Sequence, residues 1–186
     1  MKTYISFLRG INIGGNKLVK MEELKKAYNS LDFSDVRTFG LSGNVIFRSP
    51  EPKSEALARK IESRLRDIFG FDISVLIRTK EDVARIVKSN PFSNLSKEEL
   101  GKVCVAFLSN VPEGNFREEI DKSRDDSEQF IIAGKEMYLF FPNGYGRTKL
   151  TTNFFEKKLK VKATIRTLRV INKLLEIAEE LKNTFS

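Results

Sequence analysis

Thr3-Tyr4-Ile5-Ser6-Phe7-Leu8, running directly into Arg9-Gly10-Ile11-Asn12-Ile13-Gly14-Gly15-Asn16, is the stretch from which the fold of this chain is read. Its first six residues alternate, with Ile5 and Phe7 on one face and Tyr4, Ser6 and Leu8 on the other, which is the period of a β-strand. The next eight hold three glycines, two asparagines and an arginine. That composition ends the strand and leaves backbone N–H groups able to approach a ligand where a helix begins. Met21, Leu24, Ala27, Tyr28 and Leu31 then recur at three- and four-residue spacing, which predicts a helix over about residues 20–31.

Working outward, Val36-Arg37-Thr38-Phe39 and Val45-Ile46-Phe47 read as two strands of a hairpin joined by Gly40-Leu41-Ser42-Gly43-Asn44. Leu57, Ile61, Leu65 and Ile68 line a helix that Gly70 ends, and residues 72–78 form a fourth strand. The order β-α-β-β-α-β is that of a ferredoxin-like split βαβ unit, two helices on one face of a four-stranded antiparallel sheet. Thr79 with Asp82 predicts a capped helix that stops before Pro91, and Ser96 with Glu99 caps one further helical turn.

The second half repeats the order. Residues 102–108 are a strand, Asn115 with Glu118 caps an acidic helix, and Phe130-Ile131-Ile132 pairs with Met137 to Phe141 across Ala133-Gly134-Lys135. A helix over about 149–160 follows, then a strand over 161–165 and a last helix carrying Leu168, Ile171, Leu174, Leu175, Ala178 and Leu181. The expected fold is therefore α+β: two ferredoxin-like subdomains with antiparallel sheets, related by duplication, plus a C-terminal helix. Residues 1–79 form the first subdomain, 80–101 a helical linker, and 102–186 the second subdomain with the last helix.

The bulk composition narrows the function classes. The chain has 186 residues, 40% hydrophobic and 31% charged, an ordinary globular balance. No apolar run approaches the roughly 20 residues of a membrane span, and no secretory signal is present. A cytoplasmic protein without a membrane partner is expected. The single cysteine, Cys104, fits a reducing compartment and reads as a buried hydrophobe. There is no histidine. Ser-His and Cys-His nucleophile pairs, imidazole general bases and ordinary zinc sites are thereby excluded, so neither a metal nor a cofactor is expected. No catalytic motif is recognisable, and an enzyme would have to use carboxylates, Lys, Tyr or a substrate-bound Mg²⁺. The formal charge is +8. Residues 147–173 hold nine bases and one acid, Glu156, a local surplus equal to that of the whole chain. Residues 113–128 hold seven acids and three bases, and read as a solvated acidic face.

Leu8-Arg9-Gly10-Ile11-Asn12-Ile13-Gly14-Gly15, Val36-Arg37-Thr38, Ser42-Gly43-Asn44-Val45-Ile46-Phe47, Asn90-Pro91-Phe92 and Gly146-Arg147-Thr148-Lys149-Leu150 together resemble the bacterial and archaeal family called domain of unknown function 1697. The resemblance runs over nearly the whole chain. It implies an α+β fold of two similar subdomains and brings no established activity, substrate or catalytic residue. Where many members carry Thr-x-Arg-Asn-Trp-x-Thr, this chain has Thr164-Ile165-Arg166-Thr167-Leu168-Arg169-Val170. The first Thr and the Arg are kept, and the Asn and Trp are lost.

The candidate ligand-binding residues fall in three groups. Arg9, Gly10, Asn12, Gly14 and Gly15 offer a guanidinium and open backbone to an anion, though the loop matches neither a Walker motif nor a dinucleotide fingerprint. Ser42 and Asn44 sit where a ferredoxin-like sheet would bring the hairpin to the same end as that loop. Arg147 and Lys149 stand at the expected start of the 149–160 helix, with Thr148 as its N-cap and Arg166 facing the same cleft. The leading expectation is a binding protein for a phosphorylated small molecule or nucleotide, held between the loops at 9–16 and 144–149. The alternatives are nucleic-acid binding through the basic 147–173 segment and a Mg²⁺-dependent nucleotide or phosphoryl-transfer enzyme. Tyr4 and Phe47 on neighbouring strands are similar to, but do not complete, the aromatic signature of an RNA-recognition module. The sequence carries no signal for an oligomeric state.

Overall fold

Burial on both faces of one strand decides how the first sheet is covered. In the computed structural model, which describes residues 1–15 and 17–183, β1 (Lys2–Leu8) is buried at every position after Lys2. Asn16, the last residue of the glycine loop as read from sequence, lies outside the described residues. Tyr4 and Leu8 join one apolar cluster with Leu24, Ala27 and Tyr28 of α1 (Met21–Asn29) and Leu57, Ile61 and Leu65 of α2 (Ser54–Phe69). Between them, the Ser6 hydroxyl shares a 2.9 Å hydrogen bond with the Tyr28 hydroxyl, so the more polar face of β1 is the one beneath the helices. Ile5 and Phe7, on the opposite face, are also fully buried.

This first sheet runs in the order β2-β3-β1-β4, all antiparallel, with β2 (Ser34–Phe39), β3 (Asn44–Ser49) and β4 (Val75–Thr79). Phe47 stacks between Phe33 and Tyr4, with ring centroids 4.5 and 5.6 Å away. Tyr4 and Phe47 are both 0% exposed, so this face cannot act as the base-stacking platform that the RNA-module likeness would need.

The second sheet has the equivalent order, β6-β7-β5-β8, formed by β5 (Val103–Leu108), β6 (Gln129–Ala133), β7 (Glu136–Phe140) and β8 (Ala163–Thr167). Cys104, Ala106 and Leu108 of β5 meet Ile120 of α5 (Arg117–Ser123) and Phe155 and Leu159 of α6 (Thr152–Leu159) in its core. Burial pushes the Cys104 thiol up to about 12, which leaves it an unreactive apolar side chain at neutral pH. Three helices complete the chain: α3 (Lys80–Lys88), α4 (Lys97–Leu100) and α7 (Leu168–Asn183). The architecture is α+β, with two four-stranded antiparallel sheets. No described helix is long and apolar enough to cross a membrane.

Two compact units emerge. One is Met1–Arg85 with the chain from Asn172 onward, and the other is Ile86–Ile171. The sequence division at 79 and 102 differs from this, because it placed all of the last helix with the second subdomain and set 80–101 apart as a linker. Local boundaries moved as well. β8 lies two residues later than expected, so Arg166 belongs to a strand and not to the segment after one. Helix α5 starts after Phe116, which makes no side-chain cap, so Asn115 is not its N-cap. The capping pairs Thr79–Asp82 and Ser96–Glu99 both form as expected.

One glycine is fixed by packing. Gly43 is buried with φ +73°, and a Cβ there would lie 2.6 Å from Leu8 Cβ and 2.8 Å from Ile11 Cδ1. Gly134, in the β6–β7 turn with φ +65°, has open space around the same position. Gly43→Ala is expected to cost about 3 kcal/mol and Gly134→Ala about 1 kcal/mol, since only the first adds a steric clash to the backbone strain. Urea denaturation of both variants checks this; equal losses would refute the close approach.

Candidate functional site

The end of β1 is stitched on both sides before the glycine loop begins. Leu8 N–H donates to Gly43 O at 2.8 Å, and Arg9 N–H donates to Ser74 O at 2.9 Å. Beyond that point the chain is organised by one side chain. The Asn12 amide nitrogen donates to Leu41 O at 2.8 Å and to Val19 O at 3.0 Å, and its carbonyl oxygen accepts from Val19 N at 2.8 Å. Asn12 itself has φ +55°, and its backbone N–H donates to Lys17 O at 3.1 Å. Both amide protons are therefore engaged within the protein. Asn12 holds the two ends of its own loop together and ties them to the hairpin at 40–43.

Asn44 plays a matching part. It is 2% exposed, and its amide donates to Phe39 O at 3.0 Å, closing the hairpin loop that carries Ser42. The two motifs thus meet as the strand order requires, through Leu8–Gly43 and Asn12–Leu41. What they leave at the surface is glycine backbone: Gly14 and Gly15 are exposed, with φ +59° and +77°. Among the described residues none accepts a hydrogen bond from either N–H. Arg9 and Gly10 are half-buried beside them, and Ser42 is exposed.

The helix contribution differs from expectation. Four residues of non-helical chain separate the glycine loop from α1, whose N-cap is Lys20 and whose first turn carries Glu22 and Glu23. The N-terminus of α1 therefore does not lie in the glycine loop, and its field is already complemented by acids.

In the second unit the expected helix start is displaced. Tyr145–Arg147 forms a short 3₁₀ turn, Thr148 Oγ1 accepts from Leu150 N at 2.9 Å, and α6 begins after Thr151, whose hydroxyl accepts from Phe154 N at 3.2 Å. Thr148 closes a turn of its own, and Thr151 is the N-cap. Arg147 and Lys149 therefore stand ahead of the helix, both exposed, and the inverted helix-dipole argument for them falls.

Arg166 is 8% exposed on β8, opposite Val105 of β5. Its Nη1 donates to Thr164 Oγ1 at 2.7 Å and to Ile165 O at 2.9 Å. Burial, partly offset by the Tyr145 phenol, lowers its pKa to about 10, so the group stays cationic at neutral pH. Of the other bases in 147–173, Lys158 pairs with Glu119 at 2.6 Å and Lys173 with Glu176 at 2.8 Å. That subtracts from the continuous basic stripe the sequence suggests. In the acidic run, Arg124 Nη1 donates to the carbonyls of Asp125, Asp126 and Glu128 at 3.3, 3.2 and 2.8 Å, so a guanidinium occupies the centre of that loop. Among the described residues no group of three or more metal-ligating side chains forms.

A family model described as protein of unknown function (DUF1697) matches residues 1–138, a span that includes the glycine loop and the Ser42-Gly43-Asn44 hairpin. The chain belongs to this family. Arg147, Lys149 and Arg166 lie beyond the residues matched to it. The fold is similar to the solved structure of the conserved bacterial protein SP0830 from Streptococcus pneumoniae, with a TM-score of 0.68 and 23% identity over 95% of this chain and 98% of that one. No curated protein matches the chain.

A sequence signal was available that the reading of elements missed. Ile77-Arg78-Thr79 recurs as Ile165-Arg166-Thr167. In each copy the Arg Nη1 donates to the preceding Ile carbonyl, at 3.0 and 2.9 Å. In each, the Thr hydroxyl caps the next helix, accepting from Asp82 N at 3.1 Å and from Val170 N at 3.3 Å.

Asn12→Ala removes three hydrogen bonds at once and is expected to cost about 2 kcal/mol, at roughly 0.5–1 kcal/mol for each partly exposed bond. Limited proteolysis should then cut within 10–19, where the wild-type chain resists. A variant as stable and as resistant as wild type would show that the amide does not organise the loops.

Proposed function

We propose that this protein binds an anionic small molecule, a phosphorylated compound or a nucleotide, on the paired loops 9–15 and 40–44 of the first unit. The observation that carries the reading is the division of labour in those loops. Asn12 and Asn44 spend their amides on bracing, and between the braced ends Gly14 and Gly15 stand exposed, both with positive φ. A ligand meeting a preorganised loop loses less free energy to ordering it. In this reading Arg9 supplies fixed charge, and Gly10, Gly14, Gly15 and Ser42 supply hydrogen-bond donors. Asn12 and Asn44 are positioning residues. Arg147, Lys149 and Arg166 form a second basic group in the other unit, and anion contact is proposed for them on charge alone.

We also read the two units as copies of one ferredoxin-like motif. The equivalent strand orders support this, and so do matched backbone hydrogen bonds. Leu8 and Arg9 donate to Gly43 and Ser74, and Leu108 and Ser109 donate to Lys135 and Lys162, at 2.8 and 2.9 Å in both pairs.

Thermal-shift measurements with phosphate, pyrophosphate and nucleoside mono-, di- and triphosphates test the binding reading. At about 100 times its Kd a ligand adds roughly 2.7 kcal/mol of stability, a shift of several degrees in Tm. At least one of these anions is expected to produce it in wild type, and Arg9→Ala should remove most of it. Absence of stabilisation by every anion, or a full shift in Arg9→Ala, would overturn the proposal.

A further inference from the structure

Three side chains on or just beyond the same loops have no place in anion binding. Leu41, Leu18 and Ile13 are 71, 70 and 68% exposed, the three most exposed large hydrophobic residues among those described. Their positions share one origin. Ile13 follows Asn12, Leu18 precedes Val19, and Leu41 supplies a carbonyl, so each is, or adjoins, a residue that the Asn12 amide ties together. The brace that fixes the glycines also gathers these three aliphatics at one end of the first unit.

The two loop segments carry only bases, with Glu22 and Glu23 of α1 and Asp72 flanking them. Residues 9–20 and 37–44, the two loop segments, hold four bases, Arg9, Lys17, Lys20 and Arg37, and no acid. Lys17 and Lys20 are exposed next to Leu18 and Val19, and Lys17 is steadied by donating to Asp72 O at 2.7 Å.

We infer that the paired loops dock on the surface of an anionic phospholipid bilayer, with Ile13, Leu18 and Leu41 entering the interface and the adjacent bases facing lipid phosphates. The inference rests on the anion-binding reading of the same loops and names lipid headgroups as the source of the phosphate. Aliphatic tips with a basic surround suit a bilayer, which demands apolar contact and positive charge but no matched relief. Single-stranded nucleic acid would call for exposed aromatic groups on which bases stack, and the three exposed tips are all aliphatic. A protein partner would call for about 800 Å² on this side, far more than three side chains present. The sequence reading excluded a membrane partner because no spanning segment exists; docking by loop tips needs none.

Co-sedimentation of the full chain with vesicles of phosphatidylcholine, with and without phosphatidylglycerol, tests the inference, together with the double variant Leu18→Ser/Leu41→Ser. Both positions are exposed, so the variant should fold as wild type does. Wild type is expected to partition onto phosphatidylglycerol-containing vesicles, weakly or not at all onto phosphatidylcholine alone, and less as salt rises. The double variant should lose on the order of tenfold in partitioning while keeping any thermal stabilisation by pyrophosphate. Equal partitioning of wild type onto both vesicles, or undiminished binding by the double variant, would overturn the inference. So would retention by single-stranded RNA or an acidic peptide in the absence of vesicle binding. Stabilisation by pyrophosphate without vesicle binding removes the lipid inference alone, and absence of both removes the anion-binding reading as well.

Discussion

The carboxamide of Asn12 is the contact on which the exposed end of the first unit depends. A strand that ends in glycine-rich chain would ordinarily leave a long floppy connection, because each glycine adds conformational entropy that folding must remove. Here a single side chain bonds to both ends of its own loop and to the neighbouring hairpin, 29 residues away in sequence. Just upstream, Leu8 N–H donates to Gly43 O, and Gly43 packs so closely that a Cβ there would lie 2.6 Å from Leu8 Cβ. The sheet is thereby continued past its last ladder bond, and the loop geometry becomes a property of the fold.

That constraint separates positioning from contact. Polar residues in glycine-rich loops invite assignment as ligand donors, yet Asn12 and Asn44 have their amides committed to backbone carbonyls. The groups left to meet a partner are those whose exposure the brace enforces: glycine backbone, flanking bases and three aliphatic tips. In the second unit the basic residues stand on other elements. Arg166 is buried on β8 and remains cationic, and Arg147 and Lys149 are exposed ahead of the helix.

The sheet and its helices were legible in the sequence because burial imposes a period. Alternation in residues 3–8 and the stripes from Leu24 to Tyr28 and from Leu57 to Leu65 each correspond to a face in the apolar cluster. Capping pairs were legible where the hydroxyl and carboxylate act on adjacent chain, as at Thr79 with Asp82. The start of α6 was not, because two threonines compete there and Thr148 spends its hydroxyl on Leu150. The end of β8 was misplaced although the repeated Ile-Arg-Thr could have fixed it. Asn12 was visible as a polar loop residue, but its work lies in partners that only the folded chain brings near. The exposed Ile13, Leu18 and Leu41 were equally hidden, since apolar residues between glycines are assigned to solvent only by tertiary structure.

The most direct test of this account is the behaviour of one side chain in solution. In a ¹H–¹⁵N spectrum the account predicts that the Asn12 side-chain amide protons are shifted from the free-amide position and protected from solvent exchange, along with the Val19 backbone N–H that its oxygen accepts. An Asn12 amide resonating and exchanging like that of a free asparagine would contradict it, and the preorganised loop pair would go with it.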